Sequence, residues 1–211
     1  MRVIASEADA RRYVAGRADG EAAEKLDRLG CRLREENNRQ NLVSAASLDV
    51  VWQRHFADSA QLLEFVPRET NSWLDLGTGA GLPGLVIAIM RPEISVTMVE
   101  SRTKRTDWLK SMCDELGVAN GNVVASRLEL IEAFPADVIS ARAFAPLPKL
   151  LDLAARFSTA RTHWVLPKGR SAAQEVEELP AKRRKLFHVE QSLTDGDAGI
   201  IVGKGRVEAR K

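Results

Sequence analysis

At 211 residues the chain is sized for one domain with a modest appendage. Apolar residues at 45% and charged residues at 28% describe a globular chain with a substantial core, and no apolar run approaches the ~18 residues of a membrane helix. Thirty-one Lys and Arg offset 29 Asp and Glu, so a net charge of +2 does not by itself announce a nucleic-acid partner. The N-terminus lacks the apolar stretch of a secretory signal. Cys31 and Cys113 have no metal-ligand spacing and read as two buried free thiols of a reducing compartment. A cytoplasmic protein is expected.

In chain order, residues 6 to 66 read as helical throughout. Ser6 begins a first helix, with Asp9 in the capping-box position. Leu26, Leu29 and Leu33 mark the core face of a second. Ser47 is the expected cap of a third, with Val50, Val51, His55, Ala60, Leu63 and Phe65 facing inward and Pro67 closing it. From residue 72 the rhythm changes. Strands are predicted at 72–76, 95–99, 122–125, 136–140, 162–167, 186–191 and 199–203, with helices at 83–90, 104–116, 146–158 and 172–179. Such alternation predicts a mainly parallel sheet covered on both faces. The turn-rich 193–198 segment makes the last two strands an antiparallel hairpin. An N-terminal helical extension (1–66) should pack on an α/β domain (67–211).

The first strand ends in a glycine turn. Residues 73 to 84 read W-L-D-L-G-T-G-A-G-L-P-G, so Gly77, Gly79 and Gly81 form G-x-G-x-G, not the dinucleotide fingerprint G-x-G-x-x-G. Strand, glycine turn and helix let bare backbone approach a nucleoside ligand closely. Asp75, two positions before the first glycine, matches the pattern of S-adenosylmethionine (SAM) methyltransferases and suits that ligand's cationic methionyl end. Glu100 ends the second strand 23 residues after Gly77, where a carboxylate accepts ribose hydroxyls in nucleoside-binding βαβ units. The alternatives are a purely structural turn and an ordinary strand-end glutamate.

Seven segments extend the pattern: N-L-V-S at 41–44, R-H-F-A-D-S at 54–59, L-D-L-G-T-G-A-G-L-P-G at 74–84, E-S-R-T-K-R at 100–105, S-R-L-E at 126–129, S-A-R-A-F-A at 140–145 and P-K-G-R at 167–170. In this order they resemble the bacterial ribosomal RNA small subunit methyltransferase G family, also called glucose-inhibited division protein B, across roughly residues 35 to 205. The resemblance implies a Rossmann-like class I SAM-dependent methyltransferase with a seven-stranded, mainly parallel sheet. It implies SAM as cofactor, N7 of a loop guanine in 16S ribosomal RNA as methyl acceptor, and the RNA or the small ribosomal subunit as partner of a monomer. It assigns Gly77, Gly79, Leu82, Glu100, Leu128, Glu129 and Arg142 to the cofactor, and makes Arg142 and Lys168 candidates for base or phosphate contact. Leu82 stands where phenylalanine is common, Leu128 replaces an alanine, and a tryptophan before the N-L segment is missing, with Glu36 and Asn37 in that stretch.

Each residue has a plainer reading beside it. Arg142 also fits a surface arginine paired with a carboxylate, Lys168 an exposed strand-end lysine, and Glu129 an exposed acid. His55 and Asp58, three residues apart on a helix, are expected to pair with each other. Arg102, Lys104 and Arg105, and again Lys182 to Lys185, form basic clusters that fit RNA phosphate or simple solvation. No metal-ligand spacing occurs. Guanine N7 carries a lone pair and no proton, so its methylation needs no general base, in keeping with the missing acid–base dyad. A SAM enzyme acting on a small molecule or protein is the alternative; it calls for a deeper apolar lid.

Overall fold

The computed structural model describes residues 3–209. Helices α1 (Glu7–Ala15) and α2 (Gly20–Asn37) begin at Ser6 and Asp19, whose side chains accept the amides of Asp9 and Ala22. The Ser6 hydroxyl also donates to the Asp9 carboxylate at 2.7 Å, which completes the expected cap through side chains. Leu26, Leu29 and Leu33 are buried on α2 as their spacing predicts. Cys31 lies on the exposed side of that helix, so only Cys113 is a buried thiol.

The next stretch departs from prediction. Ser47 lies inside the short α3 (Ala45–Leu48), and Ser44 holds the cap position. After it the chain widens into a π-helical turn, Trp52–Ala57, and then tightens through α4 (Asp58–Ala60) into a 3₁₀ turn, Gln61–Phe65. The wide turn breaks the 3.6-residue period. Consecutive His55, Phe56 and Ala57 are therefore all buried, together with Trp52 and Leu62, whereas Val50, Leu63 and Phe65 are only partly covered.

Seven strands follow: β1 (Ser72–Leu76), β2 (Ser95–Glu100), β3 (Gly121–Ala125), β4 (Val138–Ala141), β5 (His163–Gly169), β6 (Phe187–Gln191) and β7 (Gly199–Lys204). They form one sheet in the order β3-β2-β1-β4-β5-β7-β6. The first five run parallel, and β7 pairs antiparallel with both β5 and β6, as the hairpin prediction requires. Strand alternation divides the core. Trp73, Val138, Val165 and Ile200 face a cluster shared with α1, α2, α5 (Gly84–Met90) and α6 (Thr103–Leu116). Leu74, Ile139, Leu166 and Ile201 face a second cluster with α7 (Leu147–Ala154) and α8 (Ala172–Glu177). Both faces are covered, which explains why the strands read as apolar runs without polar alternation.

The N-terminal helices belong to this packing. The buried Gln61 amide donates to the Asp58 carboxylate at 2.9 Å and to Ser192 Oγ at 3.2 Å, and its oxygen accepts the Leu193 amide at 2.7 Å. One side chain thus joins the N-terminal segment to the β6–β7 turn. Gln61→Ala should strand the Leu193 N–H and cost on the order of 2 kcal/mol. Urea unfolding combined with hydrogen exchange at the Leu193 amide checks it; unchanged protection there would contradict the tie.

Candidate active site

The strand order reverses between β1 and β4, and the carboxyl ends of strands at such a switch point form a crevice. Leu76 pairs with Ala141 across these two strands, so Gly77 and Arg142 leave the sheet side by side. Asp75, one residue earlier, is fully buried. Its Oδ1 accepts the Ser140 hydroxyl at 2.6 Å, and its Oδ2 accepts the Gly84 amide at 2.9 Å. Trp73 Nε1 donates to the same Ser140 hydroxyl at 2.7 Å. Burial pushes the Asp75 carboxyl upward, and the Ser140 and Gly84 hydrogen bonds oppose that shift. Both oxygens are therefore engaged inside the protein. Asp75 builds the glycine turn and does not face the ligand crevice.

The turn itself runs through left-handed backbone, with φ of 62° at Gly77, 58° at Gly79 and 95° at Gly81. A Cβ on Gly77 would lie 2.5 Å from the Phe144 ring. Glu100 closes the other side. Its Oε2 accepts the Gly79 amide at 3.2 Å and lies 3.7 Å from the Arg105 guanidinium, while Oε1 accepts the amides of Ser101 and Arg102 at 2.8 and 2.9 Å.

Two neighbouring cavities open at this edge. The smaller, about 390 Å³, is lined by Gly77, Glu100, Leu128 and Glu129 among others. The larger, about 890 Å³, is lined by Arg142, Lys168, Asp58 and Arg54, with Pro146 and Ile200 as apolar wall. Ala143, Phe144 and Ala145 line both. Ala143 holds φ at 52°, an uncommon conformation for a residue with a side chain, and such strain clusters at ligand sites. The structure thus gathers Gly77, Glu100, Leu128 and Glu129 in one cavity and Arg142 and Lys168 in the next. Gly79 lies behind Gly77 on Glu100, and Leu82 is buried in the core; neither lines these two cavities.

Arg142 keeps 24% of its side-chain surface. Among the described residues one terminal nitrogen, NH1, makes its polar contacts: the Arg54 carbonyl at 3.4 Å, His55 Nδ1 at 3.3 Å and Asp58 Oδ2 at 3.6 Å. Burial draws its guanidinium below the ordinary value, and Asp58 and Asp75 oppose that. The expected His55–Asp58 pair does not form. His55 Nε2 instead meets Ser47 Oγ at 2.9 Å, and Asp58 Oδ1 accepts Thr194 Oγ1 at 2.7 Å. Burial first, then the Arg142 and Arg54 charges, lower the His55 pKa to about 3. Lys168 is paired too, donating to Glu175 at 2.9 Å and to the Ala145 carbonyl at 2.7 Å.

A family model for rRNA small subunit methyltransferase G matches residues 22–199. The chain belongs to that family. It is 60% identical over 206 residues to the ribosomal RNA small subunit methyltransferase G of Erythrobacter litoralis, covering 98% of this chain and 100% of the relative. The enzyme of the same name from Novosphingobium aromaticivorans is 53% identical over 189 residues, covering 88% and 82%. Among solved structures, a SAM-dependent methyltransferase from Aquifex aeolicus shares the fold at a TM-score of 0.59 and 17% identity, covering 78% of this chain and 95% of that one.

Residues that sequence reasoning missed are those whose role is packing at the site. Ser140 and Phe144 are visible only as letters of the S-A-R-A-F-A segment, and Thr194 gives no signal. The two basic clusters separate by topology. Arg102 and Lys104 are exposed; Arg102 lines the smaller cavity, whereas Lys104 lines a separate cleft beside Glu36 and Gln40. Lys182 to Lys185 precede β6, whose Phe187 pairs with Gly203 near the start of β5. That is the opposite end of the sheet, about 20 Å away for a strand of this length. Lys182 binds Glu208 at 2.7 Å, and the buried Arg183 binds Asp152. Among the described residues no group of three or more His, Cys, Asp or Glu is placed to hold a metal ion, and no helix is long and apolar enough to cross a membrane.

The low His55 pKa has a consequence for stability. The unfolded imidazole takes up a proton near 6.5 and the folded one near 3, so between those values the unfolded state binds more protons. Stability from this group is complete above pH 6.5 and falls as the pH drops, by up to about 1.4 kcal/mol per unit. Urea unfolding at pH 7, 6 and 5 should show a shallower acid loss in His55→Asn than in the parent chain. Parallel curves would show that folding leaves the His55 pKa unshifted.

Proposed function

We propose that this chain transfers a methyl group from SAM to N7 of a loop guanine in 16S rRNA, with the smaller cavity receiving the cofactor and the larger the base. The observation that carries the reading is the shared wall. Ala143 to Ala145 border both cavities, and Arg142 stands beside that wall at the β1/β4 switch point. Bound there, SAM supplies an electrophilic methyl group.

The residues fit such a ligand. A side chain at Gly77 would collide with Phe144, so the turn is shaped for close backbone approach. Glu100 lines the smaller cavity at the strand tip, where its Oε2, holding a single amide, keeps capacity for a ribose hydroxyl, and buried Leu128 offers apolar surface to adenine beside Glu129. The Leu128 carbonyl is already held by the Arg156 guanidinium, which leaves side-chain contact as its main contribution. Arg142 can donate to guanine O6 through the edge its protein contacts leave free. Lys168, neutralised by Glu175, shapes the floor of the base cavity and supports the Ala145 carbonyl.

N7 needs no deprotonation, so what the chain contributes is alignment, an effect worth up to about 7–11 kcal/mol in favourable systems. The neutral His55 fits this, because the imidazole is engaged at both nitrogens. An unpaired loop base reaches such a cavity with less unstacking than a paired one. Exposed Arg102, Arg127 and Lys149 on the smaller cavity's rim suit RNA phosphates. The enzyme acts in the cytoplasm, as a monomer on the RNA or the small subunit.

Calorimetry with SAM and radiolabel transfer to small-subunit RNA test the proposal. Gly77→Ala should lose SAM binding while remaining folded. Arg142→Ala should slow transfer even at saturating RNA. Neutralising Arg127 and Lys149 should weaken RNA binding and flatten its salt dependence, and neutralising Lys182 and Lys185 should not. Full transfer by Arg142→Ala at saturating RNA would remove it from the base site.

A further inference from the structure

Arg142 is an arginine held at one end only. Its three protein contacts converge on NH1, and among the described residues Nε and NH2 have no hydrogen-bond partner. A guanidinium carries five donors in a fixed fork. This one is gripped on one side and left open on the side of the 890 Å³ cavity that it lines. We propose that His55 and Asp58, set by the π-helical turn of the N-terminal segment, are positioning residues that fix the Arg142 guanidinium so that its free edge meets the incoming base. This rests on the base-site reading of Arg142 given above.

The grip is directional. A guanidinium only donates, so His55 Nδ1 must accept, and the ring proton sits on Nε2. Nε2–H then donates to Ser47 Oγ at 2.9 Å, and the Ser47 hydroxyl donates to the Ser44 carbonyl at 2.7 Å. Asp58 is held from its other side. Thr194 Oγ1 and Gln61 Nε2 donate to Oδ1 at 2.7 and 2.9 Å, leaving Oδ2 for Arg142. Both grips are thus locked by partners of their own, from α3 on one side and from the β6–β7 turn on the other. His55 lies buried in the π turn and Asp58 directly follows it, and both reach the same nitrogen. The arginine emerges from β4, 87 positions from His55, so the helical segment completes a site that the sheet alone leaves with a loose side chain.

The test uses the full-length enzyme, small-subunit RNA and SAM. His55→Leu removes the acceptor, His55→Asn returns an oxygen near the Nδ1 position, and Asp58→Asn keeps the shape without the charge. Single-turnover transfer at saturating RNA should fall ~10–100-fold in His55→Leu and Asp58→Asn, the scale of a misplaced orienting group. RNA KM and the SAM Kd by calorimetry should stay within about twofold of the parent, and His55→Asn should recover most of the rate. In the Arg142→Ala background the same changes should cost no further rate beyond about twofold, because the group they position is gone. Additive losses in that background would overturn the inference, as would a full rate in folded Asp58→Asn and His55→Leu. If Arg142→Ala itself transfers at full rate, the base-site reading fails; if it is slow while Asp58→Asn and His55→Leu are not, only the positioning role fails.

Discussion

One buried carboxylate organises the ligand edge of this sheet. Asp75 carries two oxygens into a region with no access to water, where an unpaired charge is costly and each oxygen must find a donor. Ser140 from the neighbouring strand takes one, and the first amide of α5 takes the other. The same residue therefore ties β1 to β4 and pulls the start of α5 under the turn. A Cβ at Gly84 would lie 2.8 Å from the Asp75 carboxylate, so the helix approaches closely because a glycine stands there. With both ends of the glycine turn held, the residues between them have little choice but the left-handed backbone only glycine adopts cheaply. The cavity floor follows from that.

The charges that line the larger cavity are balanced within the protein. Lys168 faces Glu175, Arg54 faces Asp195, and Arg142 approaches Asp58. This suits the proposed reaction, in which one positive charge leaves the sulfonium and appears on the methylated base. The total charge on the bound ligands does not change, so no side chain has to gain or lose a proton. The larger cavity's near-neutral lining with one half-satisfied arginine is enough.

The N-terminal helices do more than cover one face of the sheet. They supply the contacts to Arg142 and, through Gln61, hold the β6–β7 turn that forms part of the larger cavity's wall. In the stretch of Glu36 and Asn37, the Asn37 side chain accepts the amides of Leu42 and Val43 and turns the chain there.

Much of this was legible in the residues alone. The seven strands, the hairpin, the glycine turn and the strand-end Glu100 follow from periodicity, turn chemistry and short-range sterics, which act over a few residues. The family resemblance extended that to the cofactor and the methyl acceptor. Tertiary structure decided the rest. Asp75 reads as a ligand contact until Ser140, 65 positions away, occupies it. His55 and Asp58 read as a helical pair until a π turn and an arginine from β4 separate them. Lys182 to Lys185 read as an RNA cluster until strand pairing sends them to the far end of the sheet. In each case the residue type announced a strong interaction, and only the order of the strands determined which partner came within reach.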